Sequence, residues 1–355
     1  MHVLVGLAGG ALIGLMLAEF FVAFMLPRRV KRDPRIARGI YGVLWRPWRW
    51  VAGRLSPSAG DTMLGFFGPL ALLLQLAVWA LGLVVGFACL QWAFGSHLNP
   101  GPAGTFGDDL YFSSGDFLSA GVAAPVSTAT RAISLLEAAT GIGVLFIVIG
   151  YLPSVYQAFS RREVAVSQLV PRAGSSPSAA GLLDRVVERG GHEDLVRYLR
   201  EWEVWAAELM ETHLSYPILA YYRSQHVSLN WLAALTTIVD TSAVVIAAKP
   251  EGEAEAAELT YAIGQHAFAD LAHQFRARPH MKERGRLSDA DFAILRSIFE
   301  RGVAELVDEE TMRSRLDELR HRYEPQALAL SQALALSLPD WVPERLRETE
   351  PARVH

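Results

Sequence analysis

The sequence predicts an all-α membrane protein, with three transmembrane helices followed by an α-helical cytoplasmic domain. Hydrophobic residues make up 51% of the 355 residues, and the mean hydropathy is +0.22, which is apolar for a chain of this length. Long apolar runs with at most one charged residue fall within residues 1–160. Beyond them, apolar residues recur at three- and four-residue steps among charged ones, the spacing of soluble helices. A membrane part followed by a soluble part explains both patterns.

The composition also argues against several classes of function. A net charge of −4 is too small to indicate a nucleic-acid partner. The single cysteine, Cys89, lies in an apolar run and cannot form an intrachain disulfide. The sequence contains no dinucleotide-binding glycine motif, calcium-binding loop or nucleophile and base pair. We therefore expect no enzyme activity, no cofactor and no metal.

The first apolar run, roughly residues 5–27, is long enough to cross ~30 Å of hydrocarbon. A cleaved signal peptide fits less well, because no Lys or Arg precedes the run. A basic segment follows at residues 28–61, with nine Lys and Arg against two Asp. We take residues 1–61 together as a first transmembrane helix with a basic interfacial segment.

Aromatic and basic residues alternate inside this segment, at Arg46, Trp48, Arg49 and Trp50. A helix at the headgroup interface places rings at the boundary and charges toward anionic lipid. We therefore expect contact with anionic lipid headgroups, although an ordinary basic loop is the alternative. Either structure would be cytoplasmic by the positive-inside rule.

Two further spans are predicted at residues 62–95 and 132–159. The segment between them contains no Lys or Arg before Arg131, whereas Arg161 and Arg162 directly follow the last span. By the positive-inside rule, this asymmetry predicts an N-terminus outside and a C-terminal domain in the cytoplasm. We expect a multi-pass protein of the inner or plasma membrane.

Two patterns follow the span at 62–95: "DDLYFSSGDFLSAG" at 108–121, and "APVSTATRAISLLEAATG" at 124–141, which continues into the third span. Together with the flanking spans they resemble the pore module of the potassium-channel superfamily, as in bacterial two-span channels. The resemblance covers residues 62–164, under a third of the chain. It implies an outer helix, a re-entrant pore helix and loop, and an inner helix. Such a loop is tolerated at membrane depth where it is buried in protein or lines water.

Under this resemblance, the selectivity filter differs from the usual Thr-Val-Gly-Tyr-Gly. In a potassium filter, backbone carbonyls replace the water shell of the ion, and glycines permit left-handed backbone. Here valine replaces the tyrosine and alanine replaces the second glycine. The resemblance therefore implies an ion channel with a non-standard filter, formed by Ser119, Ala120, Gly121, Val122 and Ala123.

Four acidic residues surround the predicted filter. Asp108 and Asp109 fit the N-terminus of the pore helix at the pore mouth, where carboxylates are favourable. Asp116 either forms a ring that favours cations or hydrogen-bonds the turn behind the filter. Glu137, inside the third span, either packs behind the pore helix, as in the resembled channels, or contributes to an ion site.

Small and helix-breaking residues follow in the inner helix. They form either a gate hinge or a surface for close helix packing. We leave both interpretations open for Gly141, Gly143, Gly150 and Pro153.

The remainder of the chain divides by composition into a linker, 165–181, and a helical cytoplasmic domain, 182–355. Residues 230–248 are apolar enough to suggest a fourth span, but they contain Asp240 and lack a basic flank. We predict a buried central helix, in which Asp240 needs a buried partner.

The sequence therefore leads to two functional hypotheses. The first is a homo-tetramer, because four copies close a pore that one copy cannot, with a cation-permeable filter gated by the cytoplasmic domain. Its partners are copies of itself, the permeating ion and anionic lipid, and no nucleic acid. The second is a non-conducting membrane scaffold or sensor whose cytoplasmic domain binds a partner or ligand.

Overall fold

The computed structural model describes residues 2–24, 36–95, 98–99, 105–122, 124–174, 176–188, 192–224, 229–279, 285–302 and 305–349. The chain forms two units, Met1–Tyr156 and Gln157–His355. The described residues are helical apart from short turns and two strands of two residues, which confirms the predicted all-α class. Four helices are long and apolar enough to cross a membrane, so the chain is compatible with a membrane-embedded protein.

The first unit contains α1 (His2–Phe24), α2 (Ile36–Ala52), α3 (Pro57–Ala93), α4 (Phe106–Phe117) and the start of α5 (Thr128–Ala173). Strands β1 (Leu98–Asn99) and β2 (Ala124–Pro125) join its connecting segments as an antiparallel pair. The second unit contains α6 (Ala179–Glu188), α7 (His192–Ser215), a 3₁₀ turn (Pro217–Tyr221), α8 (Trp231–Ala248), α9 (Glu255–Gln274), α10 (Asp289–Gly302), α11 (Glu309–Leu334) and α12 (Glu344–Thr349).

Helices α1 and α3 pack antiparallel through small residues. A Cβ on Gly9 would lie 2.6 Å from the Gly86 carbonyl oxygen, so the two backbones touch directly. Further along, the Phe20 ring meets Trp79 edge-on, with centroids 5.4 Å apart. Glycine at the contact lets apolar helices approach closely enough to gain van der Waals attraction.

Helix α5 runs for 46 residues without interruption and contributes to both units. The predicted linker is therefore shorter than 165–181, since residues 165–173 belong to α5 and 179–181 to α6. The physical reason is that Val166, Leu169 and Ala173 are buried in the core of the second unit at helical spacing. The Pro and Ser residues that suggested a linker lie in the last helical turn and beyond it.

Helix α8 is the central helix of the second unit. All of its 18 residues except Ile246 are buried, and it packs against α6, α9, α10 and α11. Although its hydropathy would permit a membrane crossing, its surface is covered by protein. The prediction of a buried central helix matches this arrangement.

The buried acid of α8 has partners that the sequence did not identify. Arg286 Nη2 donates to both carboxylate oxygens of Asp240, at 2.8 and 3.0 Å, and the Tyr323 hydroxyl donates to Oδ1. Arg286 Nε also lies 3.0 Å from a Glu324 oxygen, as an ion pair without hydrogen-bond geometry. Arg286 stands over the ring of Trp341, with its guanidinium carbon 5.3 Å from the centroid. The charge of Asp240 is thus compensated inside the core.

Candidate functional site

Helix α4 begins with its carboxylates where the sequence predicted them. Asp108 accepts hydrogen bonds from the backbone N–H and the hydroxyl of Thr105, at 2.7 and 2.9 Å. This reciprocal arrangement satisfies donors that the first helical turn leaves open. Asp108 is exposed, whereas its neighbour Asp109 is buried. The two acids therefore differ in access to solvent within the described chain.

Helix α4 ends in a Schellman motif at the predicted filter. The Ala120 N–H donates to the Gly115 carbonyl at 2.7 Å, and the Ser119 N–H donates to the Asp116 carbonyl at 2.9 Å. Ser119 has a φ of +56°, a left-handed conformation that usually falls to glycine. This conformation strains the backbone at the start of the predicted filter, and the hydrogen bonds of the Schellman motif hold it in place.

The loop then folds back along α4. Gly121 is also left-handed, with a φ of +62°, and the Val122 side chain lies against Gly115, where any Cβ would overlap it. Ser119 to Val122 are exposed in the chain, and Ala123 lies outside the described residues. The left-handed positions are thus separated by one residue, Ala120.

The start of α5 is fixed to the strand that follows the loop. Arg131 Nε donates to the Pro125 carbonyl at 3.0 Å, and Pro125 pairs with Leu98 in the small sheet. The Thr130 N–H donates to the Ser127 hydroxyl oxygen at 3.1 Å, an N-cap contact. The motif at 124–141 therefore combines a helix start with an anchor for the loop.

Asp116 points toward α5. Its carboxylate accepts a hydrogen bond from the Ser134 hydroxyl, and the side chain is buried. Of the two interpretations left open by the sequence, this geometry favours the hydrogen-bonding position behind the loop.

Glu137 lies behind α4. Its side chain is fully buried and accepts a hydrogen bond from the Ser113 hydroxyl. The Ser113 hydroxyl also lies 2.9 Å from the Val84 carbonyl oxygen of α3. Glu137 therefore connects α5 to α4 beside α3, which favours the packing interpretation over an ion site.

The glycines of α5 have different surroundings. A Cβ on Gly141 would overlap the Phe117 carbonyl oxygen at the end of α4, so this position requires glycine. A Cβ on Gly143 or Gly150 would meet nothing within 4 Å. Helix α5 continues through Pro153. Close packing thus accounts for Gly141, while a hinge at the other positions stays a prediction.

The predicted lipid-facing residues divide between two surroundings. Trp48 Nε1 donates to the Met63 carbonyl at 2.9 Å, so this half-buried ring packs on α3 and only partly fits an interfacial position. Trp50 is 60% exposed, with the Arg54 guanidinium 3.3 Å over its ring. Arg46 and Arg49 are exposed on the same helix, α2. Residues 28–35 of the basic segment lie outside the described chain.

Sequence reasoning treated Arg162 only as a charge that follows the last span. In the structure it is buried and donates to the Leu219 and Tyr222 carbonyls, both at 2.9 Å. Its Nη1 also lies 3.2 Å from His213 Nε2. Arg161, by contrast, is exposed. The sequence signal for this difference is the helical spacing of apolar residues, which continues past residue 159 and puts Arg162 on the buried face.

His213 is neutral in this arrangement. Its Nδ1 lies 2.8 Å from the Leu209 carbonyl, so Nδ1 carries the proton and Nε2 accepts from Arg162. Burial, followed by the charge of Arg162, lowers the pKa of His213 to about 3. The C-terminal part of α5 is therefore held to α7 and the 3₁₀ turn by polar contacts inside the second unit.

The site in the first unit is thus a short helix, a loop with two left-handed residues and a set of contacts that fix both to α5. Comparisons with protein-family models, curated proteins and solved structures give no match to this chain.

Proposed function

We propose that the chain forms a homo-tetrameric, cation-permeable ion channel in the plasma membrane, with residues 119–123 as its filter. The observation that carries this proposal is the end of α4, where Ser119 and Gly121 are both left-handed. Backbone that alternates in hand turns successive carbonyls to one side, as a carbonyl filter requires. The flanking apolar helices α3 and α5 are long enough to cross a membrane.

Electrostatics support a cation rather than an anion. The C-terminal end of a helix carries partial negative charge, and the loop begins where α4 ends. The described loop residues Ser119–Val122 carry no charged side chain. Because Asp116 is hydrogen-bonded to Ser134, carbonyl oxygens rather than a carboxylate ring would contact the ion.

A tetramer would cover the apolar face that α5 leaves exposed. This face runs along the helix at steps of seven, four and three residues, and Leu135 is 72% and Phe146 69% exposed. Ile142 and Ile149 belong to the same face. In a channel of this design, the face would line the pore below the filter or contact a neighbouring subunit.

Gating by the second unit is supported by α5 itself. Its residues Leu169 and Ala173 belong to the core of the second unit, and Arg162 is hydrogen-bonded there. A change in the second unit would therefore act on the helix that continues from the pore. We propose that this unit lies in the cytoplasm and controls opening.

One observation favours the alternative, a non-conducting scaffold or sensor. The Schellman motif and the contact of Val122 with Gly115 stabilise the loop as an ordinary helix ending. A protein that needs only the shape of the module could retain these contacts without conducting ions.

Ion flux distinguishes the two functions. Purified protein in liposomes is compared for K⁺, Na⁺ and Cl⁻ flux, and we expect the cations to pass faster than Cl⁻. Gly121→Asp, in the loop, should change or abolish flux. Gly42→Asp is the control, because it adds the same charge at an exposed position of α2, outside the proposed pore, where a Cβ would meet nothing within 4 Å. Asp116→Asn should leave flux nearly unchanged, because Asn can still accept from Ser134.

Two outcomes would count against the channel. Absence of flux for every ion, in protein that is tetrameric by mass, would leave the scaffold as the better function. Flux that Gly121→Asp and Gly42→Asp change equally would place the permeation path elsewhere.

A further inference from the structure

Ser113 of α4 lies between oxygen atoms of the two neighbouring helices. Its hydroxyl oxygen is 2.9 Å from the Val84 carbonyl oxygen of α3 and is also in hydrogen-bond contact with the Glu137 carboxyl group of α5. A serine hydroxyl has one hydrogen, so it can donate to only one of these oxygens at a time, and a carbonyl has none to give. Both contacts are therefore hydrogen bonds together only if Glu137 supplies the second hydrogen.

The protonation of Glu137 decides how these three groups bond. An ionised Glu137 accepts the hydrogen of Ser113, and the oxygens of Ser113 and Val84 then face each other at 2.9 Å without a hydrogen between them. A protonated Glu137 instead donates to Ser113, which donates in turn to Val84. Buried polar groups are paired in the great majority of cases, and only the protonated form pairs both contacts.

The surroundings of Glu137 also disfavour its ionised form. Its side chain is fully buried, and its Oε2 has no hydrogen-bond partner among the described residues. Helices α3 and α4 contain no Lys, Arg or His. Arg131, the basic residue of α5 nearest to Glu137 in sequence, donates to the Pro125 carbonyl. A buried carboxylate without a cation is costly, above all within an apolar span.

The charged group that acts on Glu137 is a second acid. Asp116, three residues after Ser113, interacts electrostatically with Glu137 and accepts a hydrogen bond from the Ser134 hydroxyl. Two neighbouring carboxyl groups resist simultaneous ionisation, and Asp116 is the one that has a separate donor. Glu137 is thus the acid that keeps the proton. The helices around it also carry other titratable side chains, namely His2 and Glu19 of α1, Asp61 and Cys89 of α3, Asp108, Asp109 and Tyr111 of α4, and Tyr151 and Tyr156 of α5.

We propose that Glu137 carries a proton in the folded protein, and that this proton joins α5 to α3 through Ser113 of α4. The contacts of α4 with α5 at Asp116 and Gly141 do not use this proton. Loss of the proton at alkaline pH therefore weakens the hold of α3 on α4 and leaves α4 on α5. Because α4 ends at the loop, Glu137 is a positioning residue for the proposed filter. Its effect on the filter rests on the proposed channel, whereas its protonation does not.

Infrared absorption of the full-length protein tests the protonation, because the C=O stretch of a carboxylic acid is separate from the bands of a carboxylate. The protein is held in dodecyl maltoside, a detergent without ester carbonyls. At neutral pH we expect an acid band that Glu137→Gln removes and that Glu19→Gln, an acid of α1, leaves unchanged. Ser113→Ala should shift the frequency of this band, because the acid loses the hydroxyl to which it donates. The proposal is overturned if Glu137→Gln removes no band or if Ser113→Ala leaves its frequency unchanged.

Amide hydrogen exchange of residues 113–122 tests the switch as pH is raised from neutral. Glu137→Gln is the matched control, since its amide can donate to Ser113 at every pH and intrinsic exchange changes equally in both proteins. We expect the ratio of the native exchange rate to that of the variant to rise roughly fivefold, the size of one neutral hydrogen bond. A constant ratio, or an acid band that persists to the highest pH at which the protein stays folded, would overturn the switch.

Ion flux separates this inference from the proposed function. In a conducting protein, flux should fall at alkaline pH and should stay nearly constant in Glu137→Gln, whose link to α3 does not titrate. The same pH dependence in both proteins would overturn the positioning role. In a protein that conducts no ion, the channel fails, while the infrared and exchange measurements still decide whether Glu137 holds the proton.

Discussion

Asp240 depends on a charged partner inside the core of the second unit. Its carboxylate is fully buried, and Arg286 supplies its charged partner. Removing one member of a buried ion pair leaves the other charge without compensation. We therefore predict that Arg286→Met lowers the free energy of unfolding by about 3–5 kcal/mol in urea titration. The control is Arg322→Met, an exposed pair with Glu318, which should change it by less than ~1 kcal/mol.

Equal effects of the two substitutions would contradict this assignment. The control is matched because it also removes an arginine that bonds a carboxylate, but at the surface of α11, where water replaces the lost contact.

His213 should make the stability of the second unit depend on pH. Its pKa is about 3 in the folded chain against an ordinary value of 6.5, so the unfolded chain binds more protons between these values. The contribution of neutral His213 to the free energy of unfolding is therefore complete above pH 6.5 and is lost as pH falls toward 3. We expect a slope of up to ~1.4 kcal/mol per pH unit in this window, measured by urea unfolding.

The matched variant for this prediction is His213→Gln, which does not titrate. It can be less stable at every pH, but its unfolding free energy should decline less steeply below pH 6.5. Parallel pH profiles for the two proteins would show that His213 is not the group responsible.

At the scale of the element, α5 and α4 depend on one close approach. Gly141→Ala would place a methyl group on the Phe117 carbonyl, and overpacking of this kind costs about 1–3 kcal/mol. Gly143→Ala is the control two residues away, because its methyl group would meet open space. We expect the midpoint of detergent-induced unfolding to fall for the first variant alone. A similar fall for both would argue against the packed arrangement.

The local stability of the C-terminal part of α5, residues 157–173, depends on Arg162. Replacing it with methionine leaves the Leu219 and Tyr222 carbonyls without this donor. Amide hydrogen exchange should then quicken in residues 217–222 and in 157–173, because local opening becomes easier. Arg161→Met removes only an exposed pair with Glu208 and should leave exchange nearly unchanged. No difference between the two variants would contradict a role for the buried arginine.

The sequence predicts elements better than it predicts contacts. Long apolar runs were sufficient for α1, α3, α8 and the part of α5 at 132–159, because hydrophobic patterning is local information. Helix α4 was expected only from the resemblance to a pore module. The boundary at 165–173 was missed because Pro171 and nearby Ser residues outweighed the buried positions of Leu169 and Ala173. The partners of Asp240 lie 46 and 83 residues away, and no local pattern connects them.

The function of the candidate site stays a prediction, but the structure shows which of its residues lie in contact. Three residues of the motif at 124–141, Arg131, Glu137 and Gly141, contact the loop strand, α4 and the end of α4 respectively. Which way Asp116 points depends on the packing of α4 against α5, and the sequence left both directions open.

At the scale of the whole molecule, the proposed channel requires four copies of the chain, and we expect them to meet at the exposed face of α5. Native mass spectrometry of the detergent-solubilised protein should give four times the 39.0 kDa mass of the chain. Ile142→Asp, on this face, should reduce the tetramer, because burying a carboxylate between subunits is costly. Asp substituted for Val43, which is 72% exposed on α2, serves as the control. A monomer in the native protein would contradict the assembly.

The composition of α8 has a consequence for membrane insertion while the chain is being synthesised. The machinery that inserts nascent helices reads hydropathy, and α8 emerges before Arg286 and Tyr323 have been synthesised. An Asp at the centre of a helix disfavours insertion by about 2.5–3.5 kcal/mol, and Asp240 is the tenth of the 18 residues of α8. The acid therefore disfavours insertion of α8 before it has a partner, and we expect Asp240→Leu to increase insertion of α8 into the membrane.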